Sequence, residues 1–288
     1  MRLLVFTCFL ATGVALRVRG VIDRESLLIA KFGFQKTVST EDIDTRGYVF
    51  GNVSSNSDLD SGLTMSLLPG GYFDAFSDHV IDSDESCRAA FAEIGGAAYD
   101  SACNPSGAED FLRRVPCDVG TLCKDEDQPK LVVKYNQFTY IVEDFQHPRF
   151  WFLSISPCRR QPSLNCTWKY TAVPNGVEIK YDIWLVNGNP YKTERNPLEY
   201  QFSFEKQDTA ELYLVFLLTY AVLCVVSWCN WRLVKYRLGH PVFVLLASIV
   251  CMFLGLGLTS LHVCLFAVDG VGLPALGCVA RFLRTFSQ

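Results

Sequence analysis

Two long apolar segments dominate the C-terminal third of the chain. They cover residues 212–231 and 241–267, and neither contains Asp, Glu, Lys or Arg. A helix on the surface of a soluble protein keeps a polar face, whereas a helix that crosses the bilayer core, about 30 Å thick, needs roughly 20 apolar residues. Uncharged runs of this length disfavour the alternative, a pair of buried helices in a large soluble enzyme. The pattern predicts membrane-spanning helices at 211–231 and 241–267, joined by a loop at 232–240.

In the region before these segments, residues 16–210, the hydrophobic pattern has a shorter period. Apolar and polar residues alternate over brief stretches that are separated by Asn, Gly, Ser and Pro, which is typical of half-buried strands joined by turns. We expect strands within 17–34, 47–53, 63–68, 130–142, 149–156, 166–172, 177–186 and 200–205. We also expect a helix over 86–99, interrupted by Gly95-Gly96, with Ser83 or Asp84 near its cap. Short strands at roughly 8–12-residue spacing favour an antiparallel β-sandwich. The predicted fold class is mixed: one β-sandwich domain followed by α-helical transmembrane segments.

The N-terminus predicts a secretory signal peptide over residues 1–15. Arg2 precedes an apolar stretch, and Gly13 and Ala15 stand at the −3 and −1 positions of a cleavage site. A retained signal anchor is the alternative interpretation. Cleavage and secretion would leave the β-sandwich outside the cytosol.

The loop between the two spans gives an independent indication of orientation. Arg232, Lys235 and Arg237 lie there, whereas Asp269 follows the second span, so the positive-inside rule assigns the loop to the cytosol. We expect an integral membrane protein with a luminal or extracellular N-terminus, in the plasma membrane or in the secretory pathway, including the Golgi.

Six cysteines lie in the predicted outer domain: Cys87, Cys103, Cys117, Cys123, Cys158 and Cys166. An even number in an oxidising compartment predicts up to three disulfides, although many connectivities are open. Sequence proximity favours the pairs Cys87–Cys103, Cys117–Cys123 and Cys158–Cys166 as a first hypothesis. No spacing matches a zinc knuckle, so metal binding is the weaker interpretation.

Two sequons, at Asn52 and Asn165, are candidate N-glycosylation sites in such a compartment. The net charge of the predicted outer domain argues against nucleic-acid binding. Residues 17–210 carry 20 basic and 28 acidic side chains, whereas nucleic acid requires a basic surface. We therefore expect no nucleic-acid partner.

Candidate chemistry in the outer domain is sparse. The segment His147-Pro148-Arg149-Phe150-Trp151 offers His147, Arg149 and Trp151 as contacts for a partner, because Arg and aromatic residues anchor interfaces. The preferred alternative is structural, with Arg149 paired to Glu143 or Asp144 and the aromatic residues in the core.

Acidic clusters at Asp42/Asp44, Asp58/Asp60 and Asp82/Asp84/Glu85 suggest calcium, but none matches an EF-hand loop, and solvated loops are preferred. No nucleophile elbow, HExxH motif or phosphate-binding glycine loop is present, so we expect neither an enzyme nor a cofactor.

His262 is the one histidine within the second apolar segment. An ionisable residue in a membrane helix is a functional candidate, although a position near the interface equally allows simple hydration. Beyond it, residues 268–288 read as an outer turn and an incomplete third helix, because Arg281 interrupts the apolar run after ten residues. The chain is either a truncated form of a longer protein or ends in a short re-entrant segment.

Several of these motifs together resemble the intimal thickness-related receptor family. The resemblance covers most of residues 17–276 and depends on the segment 142–152, Cys158, the entry Phe202-Ser203-Phe204-Glu205 to the first span, Gly239-His240-Pro241, His262 and the segment 269–274. It implies a GOLD-type β-sandwich followed by seven transmembrane helices, of which helices 3 to 7 are missing here.

The resemblance implies an orphan, G-protein-coupled-receptor-like function. The outer domain would bind an unknown protein ligand, the helices would lie in the lipid bilayer, and the full-length form would engage a G protein. A trafficking adaptor or cargo chaperone of the secretory pathway is the alternative, by analogy with other GOLD-type domains.

Overall fold

A computed structural model describes residues 17–22, 27–56, 62–172, 174, 176–192, 196–234 and 240–287. The predicted signal peptide, the Asp58/Asp60 cluster and the loop residues Lys235 and Arg237 lie outside the described residues. The chain divides between residues 195 and 196 into two compact units. We call them the β domain, described within residues 17–192, and the helical unit, described within residues 196–287.

The β domain contains two four-stranded sheets and a two-stranded hairpin. The strands are β1 (Arg17–Ile22), β2 (Leu27–Phe34), β3 (Gly47–Ser55), β4 (Leu63–Pro69), β5 (Leu112–Val115), β6 (Phe138–Val142), β7 (Arg149–Ser156), β8 (Cys158–Gln161), β9 (Thr167–Tyr170) and β10 (Ile179–Asn187). One sheet has the order β1-β10-β3-β6, the other has the order β2-β7-β4-β5, and β8 pairs with β9. All these pairings are antiparallel, as the alternating pattern predicted.

The core of the domain follows the two-residue period of its strands. Ile183 and Leu185 on β10, and Val49 and Val53 on β3, are fully buried at alternate positions. The Tyr140 hydroxyl of β6 donates to the Met65 carbonyl of β4 across 3.2 Å, which links one four-stranded sheet to the other. Because alternate side chains of a strand point to opposite faces, Ile183 and Leu185 share one face of β10, whereas β4 is buried on both faces.

Three short helices follow β4: α1 (Gly70–Ser77), which packs on β4 and β7, α2 (Asp84–Ala90), which packs on β9, and α3 (Ala92–Ala97), which contacts α2. Ser83 caps α2 by accepting from the Ser86 amide, while the Ser86 side chain bonds back to the Ser83 backbone. This capping box satisfies amides that would otherwise lack partners. Phe91, at the junction of α2 and α3, stacks on Trp168 of β9 with ring centroids 4.0 Å apart.

Three local predictions are wrong, and one helix was missed. Residues 132–135 form no strand, because Tyr135 adopts a positive φ of 67° and the chain turns there before β6. Residues 200–205 lie in short helical turns, α4 (Pro197–Tyr200) and a 3-10 turn (Phe204–Lys206). The helix over 86–99 is instead two helices that divide at Phe91, and the sequence pattern gave no indication of α1.

The disulfides join Cys87 to Cys158, Cys103 to Cys166 and Cys117 to Cys123. Two pairs of the first hypothesis, Cys87–Cys103 and Cys158–Cys166, are therefore wrong. The cause is tertiary: α2 packs against β9, which brings the helical segment onto the β8–β9 hairpin. Cys87 of α2 therefore lies beside Cys158 at the start of β8, and Cys103, in the turn after α3, lies beside Cys166 in the β8–β9 loop.

The helical unit contains α5 (Thr209–Val234), α6 (His240–Asp269) and α7 (Pro274–Ser287). The segments Phe204–Asn230 and Val242–Asp269 are long and apolar enough to cross a membrane, with mean hydropathies of 2.2 and 2.5. Their large side chains face outward, such as Leu218, 68% exposed, and Phe243, 61% exposed. Such a surface suits lipid and favours a membrane protein.

Helix α7 packs antiparallel along α6. Arg284 lies against Gly255, where an added Cβ would come within 2.9 Å of the arginine Cγ and 3.1 Å of the Ala280 carbonyl oxygen. Nearer the turn, Gly272 has a φ of +63°, and its backbone closely approaches His262. The two glycines therefore allow the helices to approach closely and the chain to reverse.

Candidate functional site

A groove of about 750 Å³ opens on the β domain. It is lined by the start of α1, the segments 107–111 and 126–131, the end of β6 and the first residues of β7. Aromatic side chains contribute much of its wall: Tyr72, Tyr99, Phe111, Phe145 and Trp151. A groove of this size with aromatic walls is within the range of ligand-binding clefts.

Asp144 fixes one wall of the groove. Its buried carboxylate accepts from Arg149 Nε and, at 2.7 Å, from Trp151 Nε1. The Asp144 backbone is held in turn by Thr37, whose amide donates to the Asp144 carbonyl across 2.8 Å. Arg149 stays 44% exposed at its side chain. Charge-assisted bonds of this kind hold the arginine and the indole in fixed orientations.

A buried arginine organises the opposite wall. The Arg113 side chain is only 2% exposed and pairs with Asp110 and, at 3.2 Å, with Glu126. Its guanidinium also lies 4.7 Å from the centre of the Tyr140 ring. Burial alone lowers the pKa of Arg113, but the carboxylates of Asp110 and Glu126 outweigh that effect and raise the pKa above its usual value. The arginine is therefore a permanent cation that orders the 110 and 126 segments.

The groove carries an excess of negative charge. Five acidic residues line it, Glu109, Asp110, Glu126, Asp127 and Glu143, against two basic residues, Arg46 and Arg149. Desolvation raises the pKa of Asp127, and the nearby carboxylates of Asp110 and Glu126 raise it further although Arg113 opposes them. Mutual repulsion of this kind indicates a negative local potential.

The three candidate contacts of the segment 147–151 have different positions. Arg149 and Trp151 line the groove, whereas His147 is exposed and is not part of its lining. The structural alternative paired Arg149 with Glu143 or Asp144. Arg149 binds Asp144, whereas Glu143 pairs with Arg46 Nε across 2.9 Å.

The two glycosylation candidates occupy different environments. Asn165 lies exposed in a turn, in a left-handed conformation with a φ of 50°, beside the disulfide of Cys166. Asn52 is half-buried within β3, opposite Asp182 of β10. An exposed turn gives better access to a bulky modification than a strand position does.

The described acidic clusters hold loops and caps. Asp44 binds Lys192 Nζ across 2.7 Å, and that hydrogen bond lowers the pKa of Asp44. Asp84 accepts from the Tyr170 amide across 2.8 Å. Among the described residues, no group of three or more His, Cys, Asp or Glu is arranged to hold a metal ion.

His262 of the helical unit accepts a hydrogen bond at Nδ1 from the Leu273 amide across 3.0 Å. It therefore ties α6 to the turn before α7, and it also lines a cavity of that unit. Helix α7 continues through Arg281 to Ser287 without a break.

Sequence reasoning missed the groove's acidic residues. Asp125-Glu126-Asp127 follows Arg113-Arg114 by about a dozen positions, and that opposition of charge was a usable signal for a buried pair. Hydrophobic periodicity gave no means of finding this pair, because Arg113 and Arg114 lie on the short strand β5 and the three acidic residues lie in a loop. No protein family model matches the chain.

Proposed function

We propose that this chain is a receptor-like membrane protein related to the intimal thickness-related receptors. Its β-sandwich would be GOLD-like, face the lumen or the cell exterior, and bind a protein ligand. Two apolar helices and three disulfides support a membrane protein with a domain in an oxidising compartment. In a seven-helix, full-length form, ligand binding would be transmitted to a G protein.

The acidic, aromatic groove of the β domain is the observation that carries this proposal. Glu109 and Asp127 are exposed at its surface, and Trp151 and Phe111 provide apolar walls. Carboxylates attract Lys and Arg, and aromatic walls accept apolar or aromatic side chains. The ligand class that fits best is therefore a polypeptide segment that combines basic and aromatic residues.

A peptide-binding measurement on the complete chain tests this proposal. The chain in lipid nanodiscs is exposed to a peptide array in which Lys, Arg and aromatic content vary independently, and bound peptide is quantified. We expect binding to increase with both properties. The double variant Glu109→Gln/Asp127→Asn should weaken the best peptides by about tenfold, which corresponds to about 1.4 kcal/mol.

The matched control neutralises two acidic residues outside the groove lining, Asp118→Asn/Glu178→Gln, both exposed. It removes the same net charge and should leave binding within about twofold, since distant surface charges are screened. Equal losses in the two double variants would contradict the groove as the binding site. Strong retention of unrelated secretory proteins, with no response of a G protein in the full-length form, would favour the cargo-adaptor role.

A further inference from the structure

One of the two sequons contains a disulfide-bonded cysteine as its middle residue. Asn165, Cys166 and Thr167 form the acceptor triplet, and Cys166 is bonded to Cys103, 63 residues earlier in the chain. An oligosaccharyltransferase must hold the Asn amide and the Thr hydroxyl of the triplet together, since both belong to its acceptor motif. Sugar transfer and disulfide formation therefore make demands on the same three residues.

Each residue of the triplet is held in the folded chain. Asn165 ends a short 3-10 turn (Pro162–Leu164) in the left-handed conformation, with a φ of 50° and a ψ of 36°. Cys166 has a φ of 57°, and its carbonyl accepts from Arg160 Nε across 3.3 Å. Thr167 begins β9 and is paired within the β8–β9 hairpin. Left-handed backbone costs about 1–2 kcal/mol for each such residue, so a free segment would seldom adopt this conformation.

The disulfide is what keeps the triplet on the domain. A transferase cleft can enclose the triplet only after its three residues have been drawn away from the hairpin, because the enzyme binds the chain around the Asn amide. The bond to Cys103 prevents that movement at Cys166, the central position. Without the bond, the segment would be held by hydrogen bonds alone, and local opening of a surface turn requires little free energy.

We propose that Asn165 accepts an N-linked oligosaccharide only while Cys166 is a free thiol. Transfer joins Asn165 Nδ2 to C1 of the sugar, breaks the bond from C1 to the pyrophosphate of a lipid-linked donor, and releases one amide proton. Disulfide formation moves two electrons and two protons from Cys103 and Cys166 to an oxidoreductase disulfide, which becomes a dithiol. Both reactions need the outer, oxidising location that the proposed function gives to the β domain.

The coupling acts in one direction. Asn165 and Thr167 are exposed, whereas Cys166 is half-buried. A sugar that is already attached to Asn165 therefore has room in solvent, and Cys166 can still reach Cys103. The disulfide excludes later transfer, but the sugar does not exclude the disulfide.

The order along the chain makes the two reactions compete. Cys103 would enter the outer compartment before Cys166, by about 3–13 s at a synthesis rate of about 5–20 residues per second. Its thiol is therefore present when the triplet arrives, and disulfides form on a scale of seconds or longer. We expect two forms of the mature chain, which share the Cys103–Cys166 disulfide and differ in the sugar at Asn165.

Transfer to the folded chain in vitro tests the proposal. The complete chain is produced in cells that lack the lipid-linked donor, purified in detergent micelles under oxidising conditions, and incubated with oligosaccharyltransferase and donor. Mass spectrometry measures the rate of transfer at each Asn. We expect Cys103→Ser, which leaves Cys166 free, to accelerate transfer to Asn165 at least about tenfold, because reaction of a closed segment follows the population of its open form. An unchanged rate would overturn the proposal.

Asn52 reports general unfolding in the same experiment. It lies on β3, between β10 and β6, and becomes accessible only when that sheet opens. Acceleration at Asn165 alone supports the proposal, whereas equal acceleration at both sites would contradict it. Rapid transfer to Asn165 in the unaltered, oxidised chain would overturn it whatever the variant does.

A second disulfide provides the matched control. Cys117→Ser/Cys123→Ser removes a bond that closes a loop of 6 residues elsewhere in the β domain, and it should leave the rate at Asn165 within about twofold. An acceleration equal to that of Cys103→Ser would contradict a specific role of Cys166. Absence of sugar from both Asn52 and Asn165 in chain isolated from cells would contradict the outer location, which the reaction in vitro does not require.

Discussion

Arg113 in the β domain is buried, whereas Arg284 in the helical unit is half-buried. Arg113 is 2% exposed and has two carboxylates as partners, Asp110 and Glu126. Arg284 lies over the Tyr213 ring and lines a cavity whose basic residues outnumber its acidic one. A buried charge with carboxylate partners supports a fold, whereas an aromatic ring offers the weaker cation–π contact.

The two regions also place their apolar side chains differently. In the β domain the largest apolar residues face inward, and Phe34, Phe91 and Phe138 have no exposed surface. In the helical unit comparable side chains face outward, such as Trp228 at 62%. Water excludes apolar surface from the first, whereas lipid accepts it in the second.

The largest effect should come from removing the cation of the β domain. Arg113→Met leaves Glu126, 2% exposed at its side chain, as a buried charge without its arginine. We expect a loss of about 3–5 kcal/mol in the free energy of unfolding. Urea unfolding, followed by hydrogen exchange of the β6 and β7 amides in intact micelles, measures it. Arg19→Met is the control, because Arg19 is 57% exposed and should cost less than about 1 kcal/mol. Similar losses of stability in Arg113→Met and Arg19→Met would show that burial of Arg113 between its carboxylates adds nothing beyond an exposed ion pair.

The disulfides should differ according to the loops that they close. Cys87–Cys158 spans 71 residues and Cys117–Cys123 spans 6. Chain entropy predicts losses of about 4 and about 2 kcal/mol when the paired cysteines are replaced by alanine. The same exchange measurement under oxidising conditions compares the two double variants. A larger loss for the short loop would show that local packing, and not loop closure, dominates.

Replacing Arg284 of the helical unit should increase stability, the opposite of the effect of replacing Arg113. In the proposed receptor α7 would lie in the bilayer, so Arg284→Leu would remove a charge from lipid and should raise stability by about 1–2 kcal/mol. This gain is less than the full insertion cost because a long arginine side chain can reach toward the interface. Thermal unfolding in nanodiscs, followed by circular dichroism, measures it. Thr285→Leu controls for added hydrophobicity at a neighbouring position. A loss comparable to that of Arg113→Met would give both arginines the same structural role.

The smallest effect concerns an ion pair at the edge of a sheet. Arg17 donates to Asp182 at 2.7 Å, and this hydrogen bond lowers the pKa of Asp182. The stability that the pair contributes is present above the unfolded pKa of about 4 and is lost as pH falls through the folded pKa. At neutral pH, Asp182→Asn should cost no more than about 1 kcal/mol, because the pair is partly exposed. It should also remove the corresponding acid step from a pH titration of stability. If the Asn variant loses stability at acid pH as the unaltered chain does, that loss comes from other carboxylates and not from Asp182.

Local pattern was sufficient for much of the architecture. The uncharged segments 212–231 and 241–267 lie within α5 and α6, because a helix in lipid needs only length and uniform apolarity. Alternation predicted the antiparallel sheets, and Ser83 was recognisable as a cap because its signature lies within one turn. The composition of the segment 147–151 indicated Arg149 and Trp151, both of which line the groove.

Interactions between distant segments decided the rest. Cys87 pairs with Cys158 because α2 packs near the β8–β9 hairpin, and no spacing rule contains that contact. Helix α1 begins at Gly70, within the turn-like sequence Pro69-Gly70-Gly71, and is held by Phe73, which stacks on Phe152 with ring centroids 4.1 Å apart. The sequence alone determined which segments are apolar, alternating or capped, since those properties belong to neighbouring residues. Only the tertiary structure determined that Arg113 is buried and that Arg281 and Arg284 face a cavity, because burial and charge balance depend on residues far apart in the chain.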